Sequence, residues 1–375
     1  MSHFDVASTA VQAALDAGAR YADARVMHRR TESMNARNGE IEDLTQNEDA
    51  GIGVRALVGS GWGFYAVPDL SAAAARRAGT TAARIAAASG NVPGPPLNLT
   101  ASAPVTASWA SGCSVDPLGV PLAEKGDLLT TATAIMLEHG ADLAEGLYQI
   151  WDTRKWFVSS EGHRIDQHVR ECGAGISAMA IGPDETQRRS YPSYRGQYGT
   201  QGWELVRDLD LTAHAARIAE EARALLTAPA CPAGETTLVL GGEQMCLQIH
   251  ESVGHAIELD RILGWEAAFA GTSWLDLSKL GSLRYGSELM NITIDPTIPG
   301  ALGSFGFDDE GTAAVARPAV RDGIWVGVLA GRDSSSVARE RLRERPEVQS
   351  ALDYAGSVRS DGWARLPMVR MTNVG

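Results

Sequence analysis

Ala22-Asp23-Ala24-Arg25-Val26-Met27 and Ile52-Gly53-Val54-Arg55-Ala56-Leu57 decide the fold. The first alternates apolar with polar residues and the second alternates apolar residues with glycine or a polar one. That is the two-residue period of a strand with one buried face. Between them, Asn38-Gly39 is the dipeptide that closes a two-residue hairpin, because both positions accept the positive φ of a type I′ turn. Gly59-Ser60-Gly61 supplies a second turn. Tyr21 to Val67 therefore reads as an antiparallel meander.

Helices flank it. Phe4 to Gly18 has helical spacing and stops at glycine. Ser71 to Ala88 is alanine-rich, with Ser71 placed to cap it. A helix over Leu122 to His139 leads into a second meander, Leu147 to about Tyr191, with its turn at Glu161-Gly162. A helix from Trp203 to Leu226 closes that unit. Ala82-Ala83-Arg84-Ile85-Ala86 and Ala215-Ala216-Arg217-Ile218-Ala219 match, which suggests an internal duplication; convergence of two alanine-rich helices explains it equally well. Asn91 to Pro121, rich in proline, glycine, serine and alanine, is a linker or extended crossover.

Beyond Pro229 to Gly234 comes an apolar strand, Thr237 to Leu240, then Gly241-Gly242 and a helix. A loop from Leu263 to Gly286 carries Trp265, Phe269, Trp274 and Tyr285, which either line a groove or pack on the core. Strands follow at Leu289 to Ile294 and in a hairpin, Val315 to Val320 and Ile324 to Leu329, turning at Arg321-Asp322-Gly323. A short helix from Ser335 to Arg345 is stopped by Pro346. Leu366 to Gly375 reads as a last apolar strand without a polar tail, from which the chain is expected to continue. The expected class is α+β: antiparallel meanders packed with helices in the N-terminal half, and a strand-rich C-terminal domain carrying a metal-binding helix. The expected boundaries are 1-100, a linker 101-121, a second meander domain 122-228, and an incomplete C-terminal domain 229-375.

That helix holds His250-Glu251-Ser252-Val253-Gly254-His255. Neutral imidazoles are ligands for a divalent metal, and an adjacent carboxylate can take a proton from water. The usual spacing puts the histidines four apart. Five steps at about 100° leave the rings roughly 140° apart on a regular helix. Either a π-bulge, with its i→i+5 bond, restores them to one side, or the helix unwinds at Gly254. A solvated helix face is the plain alternative. Against it, Met245 to Leu259 is apolar enough to be buried, where an unpaired imidazole is expensive. Cys246, four residues before His250, reads as a packed core thiol.

Composition narrows the rest. The 375 residues are 44% hydrophobic and 21% charged, with net charge −13 and no long basic run. This excludes disorder and argues against nucleic-acid backbones and anionic membrane surfaces. The N-terminus carries no continuous apolar core of a signal peptide, and no run reaches membrane-spanning length, so a soluble cytoplasmic protein is expected. Cys113, Cys172, Cys231 and Cys246 show no CxxC pairing.

The chain resembles the TldD/PmbA family of metallopeptidases, once described as modulators of DNA gyrase. The matching stretches are His250 to His255, Gly303-Ser-Phe-Gly-Phe-Asp-Asp-Glu-Gly-Thr312 and Leu366-Pro-Met-Val-Arg-Met-Thr-Asn373. Tyr21-Ala-Asp-Ala-Arg25, Gly51-Ile-Gly-Val-Arg55 and Ser159-Ser-Glu-Gly162 support them. The resemblance implies zinc held by His250 and His255, Glu251 as general base, and short, unfolded or extended peptides as substrates. It implies a TldD-like catalytic subunit, with a PmbA-like (TldE-like) partner that lacks the histidine motif. It places a third ligand, a cysteine, beyond the Met-Thr-Asn segment and so beyond Gly375. Asp308-Asp309-Glu310 is read as a turn beside Gly311 rather than a second metal site. The rival class is a non-catalytic binding or regulatory subunit. A metal-dependent oxidoreductase is disfavoured, since the chain has neither a Gly-x-Gly-x-x-Gly motif nor a cysteine cluster.

Overall fold

The structure is a computed structural model that describes residues 1–92, 97–354 and 356–375. It opens with helix α1 (His3–Asp16), whose first turn is closed by a capping box between Ser2 and Asp5. Strands β1 (Tyr21–Arg37), β2 (Glu40–Val58) and β3 (Gly61–Val67) form the first meander. Asn38 and Gly39 have φ of 53° and 85°, the positive pair the turn needs. Helix α2 (Ala72–Ser89) begins where Ser71 Oγ accepts the amide of Ala74. It lies very close to its neighbours: a Cβ on Gly79 would stand 2.0 Å from the carbonyl of Ala10, and one on Gly63 would stand 2.1 Å from that of Ala82. Ala7, Ala10, Ala14, Ala78, Ala82, Val26 and Val54 make the core beneath them.

After β4 (Thr106–Ala110), helix α3 (Leu122–Glu138) and strands β5 (Leu143–Ser159), β6 (Arg164–Ile181), β7 (Thr186–Tyr191) and β8 (Gln197–Gly199) build the second unit. Helices α4 (Glu204–Asp208) and α5 (Leu211–Leu225) end it. A second core joins Leu129, Met136, Tyr148, Ile176, Trp203 and Ile218. The two meanders are not separate sheets. β1 pairs antiparallel with β5 from Asp23–Ser159 to Arg37–Glu145, so one sheet runs β3-β2-β1-β5-β6-β4, with β7 and β8 on β6. α2 and α5, which carry the matching Ala-Ala-Arg-Ile-Ala runs, each cover their own half.

Alternation then sorts the two faces. Ala22, Ala24 and Val26 turn to the helices, while Asp23 and Arg25 are buried on the other face beneath the C-terminal unit. There Asp309 takes Arg25 Nη1 at 2.7 Å and Lys155 Nζ at 2.5 Å. Arg55 spans Asp23 at 2.6 Å and Glu310 at 3.2 Å. Asp308 accepts the amides of Glu310, Thr312 and Val358. Asp308-Asp309-Glu310 is thus a buried turn, as expected, but one that meets three cations from the sheet. Burial pushes Glu310 up to about 8 and Asp308 up to about 6. Burial acts upward on Asp309 too, yet Lys155, Arg25 and Ser360 outweigh it and hold this carboxyl well below its usual range.

The C-terminal unit begins with α6 (Gly242–Ile249) and α7 (Leu259–Ile262). Its strands are short: β9 (Ile292–Ile294), β10 (Arg317–Arg321) and β11 (Ile324–Trp325) form one sheet, and α8 (Arg332–Arg341) separates them from the pair β12 (Val358–Arg359) and β13 (Met368–Val369). The hairpin at Asp322-Gly323 is present, with φ of 49° and 76°. The final segment pairs only at Met368–Val369 and through a bridge from Val374 to Ile294. Thr237 to Leu240 joins no sheet, and Leu238 and Val239 are 74% and 89% exposed. Helix α6, expected to be buried, has no buried residue. Leu238, Val239, Leu240 and Leu247 meet solvent, while Met245 and Ile249 are half-buried.

Candidate metal centre

From Gly242 the chain is α-helical up to Ile249, and then the hydrogen bonding changes. His250 to Gly254 is one turn of π-helix, and the amide of His255 donates to the carbonyl of His250 at 3.0 Å. This i→i+5 bond takes in the extra residue between the histidines. Both rings therefore lie on one side: His250 Nε2 and His255 Nε2 are 3.1 Å apart and the rings are perpendicular. Glu251 Oε1 is 3.9 Å from His250 Nε2. One ligand atom from each of His250, Glu251 and His255 falls within a 4.8 Å span. No other group of three such residues with donors this close occurs among the described residues.

Two contacts hold the π turn. Tyr285 donates its hydroxyl to the carbonyl of Ser252 at 2.5 Å. Gly254 is buried against Met371, so a Cβ there would stand 2.0 Å from Met371 Sδ. Glycine at this position is a matter of space, and it ties the histidine stretch to the Met-Thr-Asn segment. The obstructing atoms are the flexible end of Met371, so Gly254→Ala is expected to displace that side chain at a cost of about 1 kcal/mol or less and to leave the two rings in place. Chemical denaturation and a cobalt(II) absorption titration measure the two effects.

His255 is oriented from behind. Its Nδ1 lies 3.1 Å from Glu258 Oε2, and Arg261 Nε sits 2.5 Å from the same oxygen. Arg261 Nη2 also approaches His255 Nδ1 at 3.0 Å. A guanidinium only donates, so Nδ1 cannot serve it while donating to Glu258. With Nδ1–H on the carboxylate, Nε2 keeps the lone pair a metal needs. Glu258 is buried; that raises its pKa, against the pull of His255 and Arg261. Glu266 binds Arg370 at 2.8 Å and is 3.8 Å from Arg261, which extends the ion network into the C-terminal segment.

Asp260 lies beside this network. Burial, with Asp333 nearby, pushes its carboxyl up to about 7. A carboxyl raised in the native state contributes most below its unfolded pKa, and that contribution is lost as pH rises through the native value. Over roughly pH 4 to 7 the loss is on the order of 4 kcal/mol. Asp260→Asn cannot ionise, so its denaturant midpoint is expected to fall less than the parent's between acid and neutral pH.

All three residues singled out in the sequence are thus brought together. Cys246 is not in the group; it is exposed rather than packed, with Sγ on the carbonyl of Glu243. Trp265, Phe269 and Trp274 are exposed, and only Tyr285 of the four loop aromatics packs against the core. Sequence reasoning missed Glu258, Arg261 and Met371. The available signal was a carboxylate three residues after the second histidine.

An ion with the usual reach to nitrogen, about 2.0–2.1 Å, fits between the two Nε2 atoms. The donor set, two imidazoles and a carboxylate with a buried carboxylate behind one ring, is that of a metal centre.

Three family models match: PmbA/TldA metallopeptidase domain 1 over residues 22–86, the central domain over 115–226 and the C-terminal domain over 233–374. A metalloprotease of Methanocaldococcus jannaschii is 26% identical over 353 residues, 94% of this chain and 72% of that protein. A metalloprotease of Methanothermobacter thermautotrophicus is 28% identical, over 89% of this chain and 71% of its own. A metalloprotease TldD homolog of Haemophilus influenzae is 27% identical, over 94% and 69%. Among solved structures, TldE of Thermococcus kodakarensis superposes with a TM-score of 0.62 at 14% identity, covering 98% of this chain and 76% of that one. A Thermotoga maritima protein titled as a modulator of a DNA gyrase gives 0.67 at 15%, over 94% and 73%. No helix among the described residues is long and apolar enough to cross a membrane. With the three models spanning most of its length, the chain belongs to the PmbA/TldD metallopeptidase family.

Proposed function

We propose that this chain is the catalytic, TldD-like subunit of a zinc peptidase acting on short, unfolded or extended peptides. The observation that supports it best is the π turn, which spends a regular helical bond pattern to set two imidazole nitrogens 3.1 Å apart. His250 and His255 would hold the metal. A bound zinc ion supplies Lewis-acid polarisation of the scissile carbonyl.

The chain's own residues do the rest. Glu251, exposed and next to the first imidazole, accepts the proton of the attacking water and returns it to the leaving amine. Glu258 keeps His255 in the tautomer that leaves Nε2 free, and Arg261 balances the charge of Glu258. Two of the three donors are exposed, so an extended backbone can reach them.

A TldE-like protein is the proposed partner, since one such structure shares this fold. A purely regulatory role is the competing reading, and the test separates the two. Metal content and cleavage of an unfolded peptide are measured with and without a TldE-like subunit. We expect about one zinc per chain in the complex, lost in His255→Ala together with hydrolysis. Full zinc content in that variant, or a complex that binds peptide without cutting it, would remove the proposal.

A further inference from the structure

The hairpin of β1 and β2 leaves one side of a strand open. β1 pairs with β2 along its whole length, but β3 starts to pair only at Ile52. From Glu40 to Gly51, β2 has no strand on its outer side among the described residues. Every residue from Glu40 to Asp49 is exposed. The register slips once, where Glu42 is the extra residue opposite Asn35 and Ala36; from Asp43 to Gly51 it is unbroken. In such a ladder, alternate residues of the last strand turn N–H and C=O outward without a partner.

Long open edges are usually blunted by charged side chains, lysine above all, by proline, or by bulges that twist the edge away. Glu40 to Gly51 contains no lysine, arginine or proline. Its charges are all of one sign: Glu40, Glu42, Asp43, Glu48 and Asp49. Some have local partners. Arg37 meets Glu42 at 2.8 Å, His28 meets Glu48 at 2.7 Å, and Trp363 donates to Asp49 at 2.7 Å. Among the described residues, Asp43 accepts only the hydroxyl of Thr45, at 3.1 Å. Carboxylates along an edge repel a second copy of a chain whose net charge is −13. They do not repel a basic strand, and the outward amides and carbonyls are the groups that would bind it.

We propose that Asp43–Gly51 is a docking edge for an extended, lysine- or arginine-rich polypeptide segment, which joins the sheet as an additional strand beside β2. Main-chain hydrogen bonds supply the pairing and the carboxylates select the charge. The proposal is independent of the metal centre.

The test uses the whole chain and three synthetic peptides of equal length: alternating lysine and threonine, alternating lysine and proline, and alternating glutamate and threonine. The lysine–proline peptide has the same charge but cannot donate to a ladder. Binding is read by fluorescence anisotropy and by hydrogen exchange of the amides from Asp43 to Gly51. The lysine–threonine peptide should bind and protect alternate amides of that run. The lysine–proline peptide should bind about tenfold more weakly without protection, and the glutamate peptide not at all. Asp43→Lys with Glu48→Lys should weaken the lysine–threonine peptide by about tenfold or more at an unchanged melting temperature. Equal binding of the two lysine peptides would reduce the edge to a charged surface and overturn the proposal, as would the absence of new protection on β2.

Discussion

Glu251→Gln is expected to leave the bound metal in place and to lower peptide hydrolysis by about 10²–10⁴-fold, the usual contribution of a positioned general base. Glutamine keeps the side chain's size and its carbonyl oxygen but cannot take up a proton. The π turn is untouched, because its bond runs between main-chain atoms of His250 and His255 and its supports are Tyr285 and Met371. Zinc content and the perpendicular approach of the two rings should therefore match the parent. The loss should fall on kcat rather than KM, since the proton moves only as the bond breaks. Parent-like kcat in a zinc-loaded variant would remove Glu251 from the role of base. Loss of zinc instead would make it a ligand, for which its Oε1, 3.9 Å from His250 Nε2, is close enough to be a candidate.

How far the sequence reaches depends on the range of the interaction that fixes each feature. Hairpin turns are local: Asn38-Gly39, Glu161-Gly162 and Asp322-Gly323 each carry their own dihedral preference, and each turns the chain where expected. The π turn is one of the two ways, with unwinding at Gly254, that five-residue spacing leaves for bringing the rings together. Pairing of β1 with β5 is not legible in the sequence. It joins segments more than a hundred residues apart, and alternation in each strand says which face is buried but not which neighbour it takes. The same limit explains Arg25, Arg55 and Lys155, whose partners Asp309 and Glu310 lie far along the chain. Helix α6 and Thr237 to Leu240 show the opposite error. Their apolar pattern predicts burial, yet most of these side chains are exposed. A pattern states that a face favours cover and is silent on what provides it.

Arg55→Ala is expected to destabilise the chain by about 3–5 kcal/mol, because it leaves the buried Asp23 carboxylate uncompensated and the buried Glu310 carboxyl without its donor. Asp23 and Glu310 are 0% and 2% exposed, and Arg55 is the cation shared between them. Its three contacts with Asp23 and one with Glu310 use both the Nε and the terminal nitrogens. Arg55→Lys restores a charge without the planar fork and should recover only part of the loss. The deficit should also depend on pH. Burial already lifts the Glu310 carboxyl to about 8, and removing Arg55 lifts it further. A carboxyl raised in this way contributes its full stability below its unfolded pKa and loses it as pH rises through the native value. In the parent this loss stops at the native value of about 8, whereas in the variant it continues to higher pH, so the variant's deficit should be nearly level between pH 5 and pH 7 and larger near pH 9, as read from urea midpoints. A deficit that stays flat from pH 5 to pH 9 would mean that Arg55 acts through packing against Trp62, 4.9 Å from its guanidinium, rather than through the charges it joins.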